Sequence, residues 1–227
     1  MEQKEWISLS VGGSLLNDGK PNLQMAKNLA KIFKASKKNL AIVVGGGIQA
    51  RVHAEAARKK YSSEFEADMA GIAITHKNAD TLRKALGVSA GKKICLTFQQ
   101  AKIASKTQKY VVMGGTIPGI TTDADAALLA EALHSKTLIN FSKTAIYDSN
   151  PVQNPNAKKS STLSYEQLIS LAVSSDKRKA GTNFIFDLLA CNLIARSKIK
   201  THFIDGRNES DVKNALEGKT HNGTLVQ

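Results

Sequence analysis

Acidic residues are scarce in this chain: 19 Asp and Glu stand against 32 Lys and Arg, a formal charge of +13 over 227 residues. That balance favours anionic partners or simply a solvated basic surface. Aromatic residues are also thin, at 5%. With the basic residues scattered rather than gathered in a tail, neither stacking platforms nor a basic stripe can be read, which weighs against nucleic acid as a partner. There are two cysteines, Cys95 and Cys191, both in apolar surroundings without partner spacing. They read as buried free thiols of a reduced compartment rather than a disulfide or a nucleophile. The five histidines are dispersed and no Cys/His cluster exists, so no protein-held metal is expected. No apolar run approaches the ~20 residues of a membrane span, and MEQKEW lacks a signal-type apolar region. The expectation is a cytoplasmic protein without a membrane partner. Neither G-x-x-x-x-G-K-[ST] nor G-x-G-x-x-G occurs, which excludes a P-loop and the dinucleotide fingerprint. No internal repeat or low-complexity tract is present.

What the chain does contain is an alternation of strand-length and helix-length segments. WISLSVGG (6–13), LAIVVGGG (40–47), KKICLTF (92–98), YVVMGG (110–115) and KTLINF (136–141) read as strands. Residues 22–36, 48–61, about 64–86 and 122–134 read as helices, the last with Thr122 or Asp123 as N-cap and Asp125 near the positive end of its dipole. After an Asn-, Ser- and Pro-rich stretch at 147–164 come helices near 164–173 and 182–196, a strand at 199–206, a helix near 209–217 and a strand near 223–226. The helix at 182–196 carries an apolar stripe, Phe184, Phe186, Leu188, Leu189 and Ile194, that reads as core packing. Strand, crossover and strand in succession predict an α/β protein around a parallel sheet.

Three strands end in glycine clusters, Gly12-Gly13-Ser14, Gly45-Gly46-Gly47 and Gly114-Gly115-Thr116. In a parallel sheet all three ends share one edge, where glycine admits a phosphate close to the backbone and free helix-start amides donate to it. Together they predict a polyphosphate site. Arg51, one turn into the helix after Gly47, is placed to aim a guanidinium at phosphate oxygens. Asp68, acidic within an apolar helical stretch, could be a solvated charge or a carboxylate for a ribose diol.

VGGSLL (11–16), VVGGGIQAR (43–51), MGGTIPGITTDADAALLAEAL (113–133), NPVQNPNAK (150–158), AGTNFIFDLLA (180–190) and HNGT (221–224) stand in the order and spacing of the archaeal-type uridylate kinases of the amino acid kinase family, which the chain resembles along nearly its whole length. The resemblance implies a three-layer α/β/α sandwich around a mainly parallel sheet, a single domain over 1–227 with an acceptor-nucleotide lobe at about 1–135 and an ATP lobe at 136–227. It implies transfer of the γ-phosphoryl of ATP to UMP, with Mg²⁺ carried by the nucleotide phosphates, and a homo-oligomer, typically a hexamer. Matched position by position, Gly13, Ser14, Gly47, Arg51, Ser142, Lys143, Tyr147 and Asn150 would meet ATP. Gly46, Asp68 and the loop of Thr116, Ile117, Pro118, Gly119, Ile120, Thr121 and Thr122 would hold UMP. Asp123, with Gly13 and Arg51, would organise the reacting centre, where the protein positions two anions and neutralises charge.

The chain departs from the family at two places. Ser10 stands where a charged residue precedes the first glycine pair, and SKTAIYDSNP (142–151) lacks the Asp-Gly of the family pattern and ends on Asn150 instead of Asp. Two alternatives therefore remain: a kinase of the same superfamily with another acceptor, and a nucleotide-binding sensor or scaffold with little phosphotransfer.

Overall fold

A computed structural model describes residues 4–142, 145–149, 154–176 and 186–227. The first strand, β1 (Trp6–Val11), is buried along its length. Its alternation sorts the side chains: Ile7, Leu9 and Val11 join one core, while Trp6 joins the core on the opposite face, which puts Ser8 and Ser10 on that second face as well. β2 (Asn39–Val44), β3 (Tyr110–Met113), β4 (Thr137–Ser142) and β6 (Lys200–Asp205) lie parallel to it, and β7 (Thr224–Val226) and the short β5 (Thr162–Leu163) extend the sheet, β7 running antiparallel to β6. The order is β3-β2-β1-β4-β6-β7-β5.

Helices cover both faces. On one lie α2 (Leu23–Ser36), α4 (Glu64–Leu86) and α9 (Glu209–Leu216), whose Phe33, Leu82 and Val212 pack with Ile42, Phe141 and Ile204. On the other lie α6 (Thr122–Ala132) and α8 (Leu188–Arg196), packed with Val43, Met113, Leu138 and Phe203. Ala124, Ala126, Ala127 and Ala130 of α6 are fully buried, so small side chains bring this helix against the sheet opposite Ser8 and Ser10. The short α1 (Gly13–Leu16), α3 (Gly47–Tyr61), α5 (Phe98–Thr107) and α7 (Tyr165–Asp176) complete the expected α/β/α sandwich. Among the described residues no helix is long and apolar enough to cross a membrane.

Three expectations are corrected. Residues 92–98 form no strand: Cys95 makes a single bridge to Met113, and Thr97 caps α5 by accepting from the Gln100 amide. A short apolar run does not distinguish strand from helix, and the cap plus Phe98, Ala101 and Ala104 on one face decided for helix. The N-cap of α6 is Thr121, not Thr122 or Asp123, because its hydroxyl accepts from Ala124 N at 3.1 Å. In the apolar stripe Phe186 and Ile194 are buried and Leu188 is half-buried, but Leu189 is 45% exposed, since a nine-residue helix turns only one side to the sheet. Phe184 lies outside the described residues. Cys95 and Cys191 are free and buried, and burial pushes the Cys191 thiol up to about 12.

Candidate active site

The parallel strands β1, β2 and β3 deliver their glycine ends to one edge, the carboxyl edge of the sheet. The first two turns lock together: a Cβ on Gly13 would overlap Gly47 N and the Gly45 carbonyl, and Gly47 has φ +65° with its would-be Cβ 2.7 Å from Gly13 C. Neither position tolerates a side chain. Behind them Asn78 donates to the carbonyls of Gly45 (3.0 Å) and Gly46 (3.2 Å), and Asn17 donates to Asn78 at 3.1 Å.

Two of the helix starts at this edge differ from the others. α2, α4, α5, α6, α8 and α9 begin on Asn22, Ser63, Thr97, Thr121, Asp187 and Asn208, each a side chain that accepts from the first turn. α1 and α3 begin on Gly12 and Gly46 with no side-chain cap. Apart from Leu15 N, which donates to the Gly12 carbonyl at 3.0 Å, their first-turn amides are left for another acceptor, and the positive end of α3 adds to the attraction for an anion. Ser14 sits in this turn, and Arg51 is exposed one turn further on without an ion-pair partner among the described residues.

Loop 116–122 rises beside these turns and is fixed along its length. Thr116 donates its N–H (3.1 Å) and hydroxyl (2.6 Å) to the two oxygens of Asp125. Gly119, at φ +85°, donates its N–H to Asp68 at 2.8 Å. Thr121 donates to Asp187 at 2.5 Å while capping α6. Beneath the loop, Gly115 N–H donates to Thr75 Oγ1 and His76 Nε2–H donates to the Gly115 carbonyl, both at 2.8 Å. Ile117 is 58% exposed at the tip, and Thr122 Oγ1 faces the Cα of Gly45 across the cleft. Thus Gly13, Ser14, Gly46, Gly47, Asp68 and the loop from Thr116 through Pro118 and Ile120 to Thr122 converge on one cleft.

Asp123 sits at its floor. Ser10 donates to Asp123 Oδ1 at 2.6 Å and Asn140 donates to the same oxygen at 2.8 Å, while Oδ2 has no hydrogen-bond partner among the described residues. Burial pushes this carboxyl up to about 6, Ser10 and Asn140 pull it back, and the Asp187 charge raises it further. Burial likewise lifts Asp125 to about 6, offset by the two Thr116 hydrogen bonds. No described lysine or arginine pairs with Asp123, and among the described residues no three acidic, His or Cys side chains form a metal cage.

The second group of expected residues is more dispersed. Ser142 ends β4 and its hydroxyl meets the Ile204 carbonyl at 3.3 Å. Tyr147, half-buried, bridges Lys159 in the loop that Thr224 ties down by accepting from Ile146 N and donating to the Ser160 carbonyl. Lys143 and Asn150 lie outside the described residues. Sequence reasoning missed Thr75, His76, Asn140 and Asp187 as site-building residues and read Asp125 only as a helix-dipole charge. Polar side chains inside otherwise apolar elements, Asn140 in TLINF and Thr75 in IAIT, were the available signal, as was Asp187 just ahead of the apolar run LLAC.

The model of the amino acid kinase family matches residues 6–205. The chain is 42% identical over 222 residues to the uridylate kinase of Archaeoglobus fulgidus, covering 97% of this chain and 99% of that protein, and 38% identical to that of Thermococcus kodakarensis with the same coverage. The crystal structure of the Archaeoglobus fulgidus uridylate kinase superposes with a TM-score of 0.86 over 98% of this chain and 100% of that one, at 38% identity. The UMP kinase of Bacillus anthracis, at 19% identity, shares the fold with a TM-score of 0.79 over 98% of this chain and 96% of that one.

Proposed function

The chain belongs to the amino acid kinase family, and from that premise we propose that it is a nucleoside monophosphate kinase that transfers the γ-phosphoryl group of ATP to UMP, giving UDP and ADP in pyrimidine nucleotide synthesis. The observation that carries this reading is the clasp: a loop of three threonines held by Asp125, Asp68 and Asp187 directly beside two helix starts whose amides have no side-chain cap. The clasp takes UMP, and the amides take phosphate.

In this reading Thr121 and Thr122 face the uracil, Asp68 uses the oxygen that Gly119 does not occupy for the ribose, and Gly46 meets the 5′-phosphate. Gly13, Ser14, Gly47 and Arg51 line the ATP phosphates, with Ser142, Lys143, Tyr147 and Asn150 toward the adenosine, so that residues from about 1–135 hold the acceptor and those from 136–227 the rest of ATP. A UMP phosphate oxygen attacks the γ-phosphorus, the bond to the ADP oxygen breaks, and no proton need move when both phosphates are ionised. Catalysis is then positioning and charge neutralisation. Asp123 is held immobile by Ser10 and Asn140, so Ser10 supports the carboxylate by a hydrogen bond instead of supplying a charge of its own.

The free Oδ2 of Asp123, close enough to Asp187 to feel its charge, is a hard oxygen donor of the kind Mg²⁺ prefers and would help hold the ion that the nucleotide phosphates carry. Bound there with ATP, Mg²⁺ would neutralise charge on the transferred phosphoryl.

A homo-oligomer, a hexamer on the family pattern, fits the surface. No residue of α3 is fully buried, and Ile48 and Val52, one turn apart on it, stand exposed, as do Phe65 and Met69, one turn apart on α4, apolar faces that a second copy would cover. Sedimentation velocity tests this; a monomer at micromolar concentration refutes it.

The test of the reaction is ADP release with Mg-ATP and UMP, CMP, AMP or dUMP. Turnover confined to UMP is expected. Turnover of a different acceptor, or tight UMP binding without turnover, overturns the assignment.

A further inference from the structure

The opposite edge of the sheet, where the strands begin, has no part in the proposed reaction, and a row of lysines lies along it. In the order β3, β2, β1, β4, β6 the strands are entered from Lys109, Lys38, Lys4, Lys136 and Lys198, and β6 opens on Lys200. These positions are neighbours in space: Leu40 N bonds to the Lys109 carbonyl at 3.0 Å, Lys200 N bonds to the Lys136 carbonyl at 3.0 Å, and Trp6 and Asn39 are paired between them. Lys4 is stapled across the edge by donating to the carbonyls of Ser105 (3.1 Å) and Lys106 (3.0 Å).

None of these six lysines has an ion-pair partner among the described residues. Glu5 and Glu131 come near the row, and Glu166 opens α7 at the same edge beyond β7. Glu131 is taken up by Arg196 at 2.5 Å and by Ser197, which leaves Glu5 against the row. Helix C-termini also arrive here, and their dipoles favour a nearby cation by about 0.3–1 kcal/mol. That accounts for a lysine after each helix. It does not account for second cations, such as Lys37 beside Lys38 and Lys200 beside Lys198, or for the near-absence of carboxylates.

We infer that this amino edge is a docking surface for the phosphodiester backbone of nucleic acid, with a single strand of RNA as its best-fitting occupant. Five strands at ~4.8 Å spacing make a row about 19 Å long, enough for roughly three phosphates of an extended strand, whose successive phosphates lie ~6 Å apart. The row is point charges without interleaved aromatics, so it holds backbone and reads no bases. A protein partner would want an apolar centre, and a membrane would want apolar side chains to insert. Of the large exposed apolar residues, Val88 precedes Ser89, whose carbonyl accepts from Lys109 N, and Ile103 precedes the Ser105 and Lys106 carbonyls that Lys4 holds, so the apolar side chains beside the row are single residues on separate elements, and no strand start contributes one.

The test is fluorescence anisotropy of a labelled 20-nucleotide single-stranded RNA, with UMP and a non-hydrolysable ATP analogue saturating the cleft. Saturable binding in 50 mM salt is expected, weakening about 20-fold by 200 mM, because three phosphates give a logarithmic slope near −2. Lys38→Glu with Lys136→Glu should weaken binding at least 10-fold. Lys27→Glu with Lys31→Glu, the same change of net charge on α2, should weaken it under 3-fold. Melting temperature and circular dichroism certify the fold of both variants independently of any kinase activity. Equal loss in the two variants, displacement of the RNA by the nucleotides, no binding in 50 mM salt, or capture by anionic vesicles without RNA binding would each overturn the inference.

Discussion

The two edges of the central sheet treat negative charge in opposite ways. At the carboxyl edge the strands end on Gly12, Gly45 and Gly114, charge is met by backbone amides, and the fixed side chains around the cleft are acidic: Asp68, Asp123, Asp125 and Asp187. At the amino edge the strands start on lysines, and charge would be met by flexible ammonium groups in water. The first arrangement is fixed by hydrogen bonds, with Asp125 fully buried within it, so a displaced atom matters. The second is screened and redundant, so each residue contributes little. A site for in-line transfer needs the former, and a surface for a polymer with many equivalent phosphates needs the latter.

The sharpest way to break this comparison is Gly13→Ala. The added methyl has no room against Gly47 and Gly45, so kcat/KM for UMP should fall at least 10³-fold, about 4 kcal/mol, whereas Lys136→Ala should leave it within twofold. Steady-state ADP release decides, and comparable losses at both edges would dissolve the distinction.

Next comes Asp123→Asn, expected to lower kcat about 10²-fold with the UMP KM within a factor of three. Because the Asp123 carboxyl is raised to about 6, wild-type turnover should fall more steeply as pH drops through 6 than that of the variant, in which the UMP phosphate still titrates. The linked stability runs the other way. Between the unperturbed 3.8 and about 6 the folded chain holds a proton that the unfolded chain has released, so this carboxyl contributes stability below pH 3.8 that is lost as pH rises through 6. Asp123→Asn should therefore raise the melting temperature at pH 7 and not at pH 4, which thermal melts at both pH values would check.

A smaller effect sharpens the division within the cleft. Asp68→Asn retains an acceptor for Gly119 N–H but loses charge toward the ribose, and should raise the UMP KM about 10-fold with the ATP KM unchanged; equal change in both would end the assignment of Asp68 to UMP. The smallest effect belongs to the amino edge. Lys38→Gln or Lys136→Gln should move stability by less than about 0.5 kcal/mol, read as a denaturant midpoint.

Most of the fold was legible. The strand pattern of WISLSV, LAIVV and YVVM, the glycine ends and the long helix at 64–86 are local signals, and the structure carries them with boundaries shifted by a residue or two. KKICLTF was misread because its five apolar or β-prone positions serve a turn before α5 as well as they serve a strand. Within the site, Gly13, Gly47 and the threonine loop could be found because their backbone demands are written in the residues themselves. Asn140 and Thr75 could not be assigned, since a polar residue in an apolar run shows that a partner exists without showing which.

The sequence by itself determined the alternation of strand and helix, the glycine turns and the threonine loop, because period, Cβ sterics and capping act over a few residues. Only the tertiary structure decided that Ser10 and Asn140 share Asp123, that Asp187 reaches Thr121 across 66 positions, and that lysines scattered from 4 to 200 form one row. The reason is the parallel sheet: each crossover returns the chain to the edge it left from, so residues far apart in sequence but equally placed before or after a strand become neighbours.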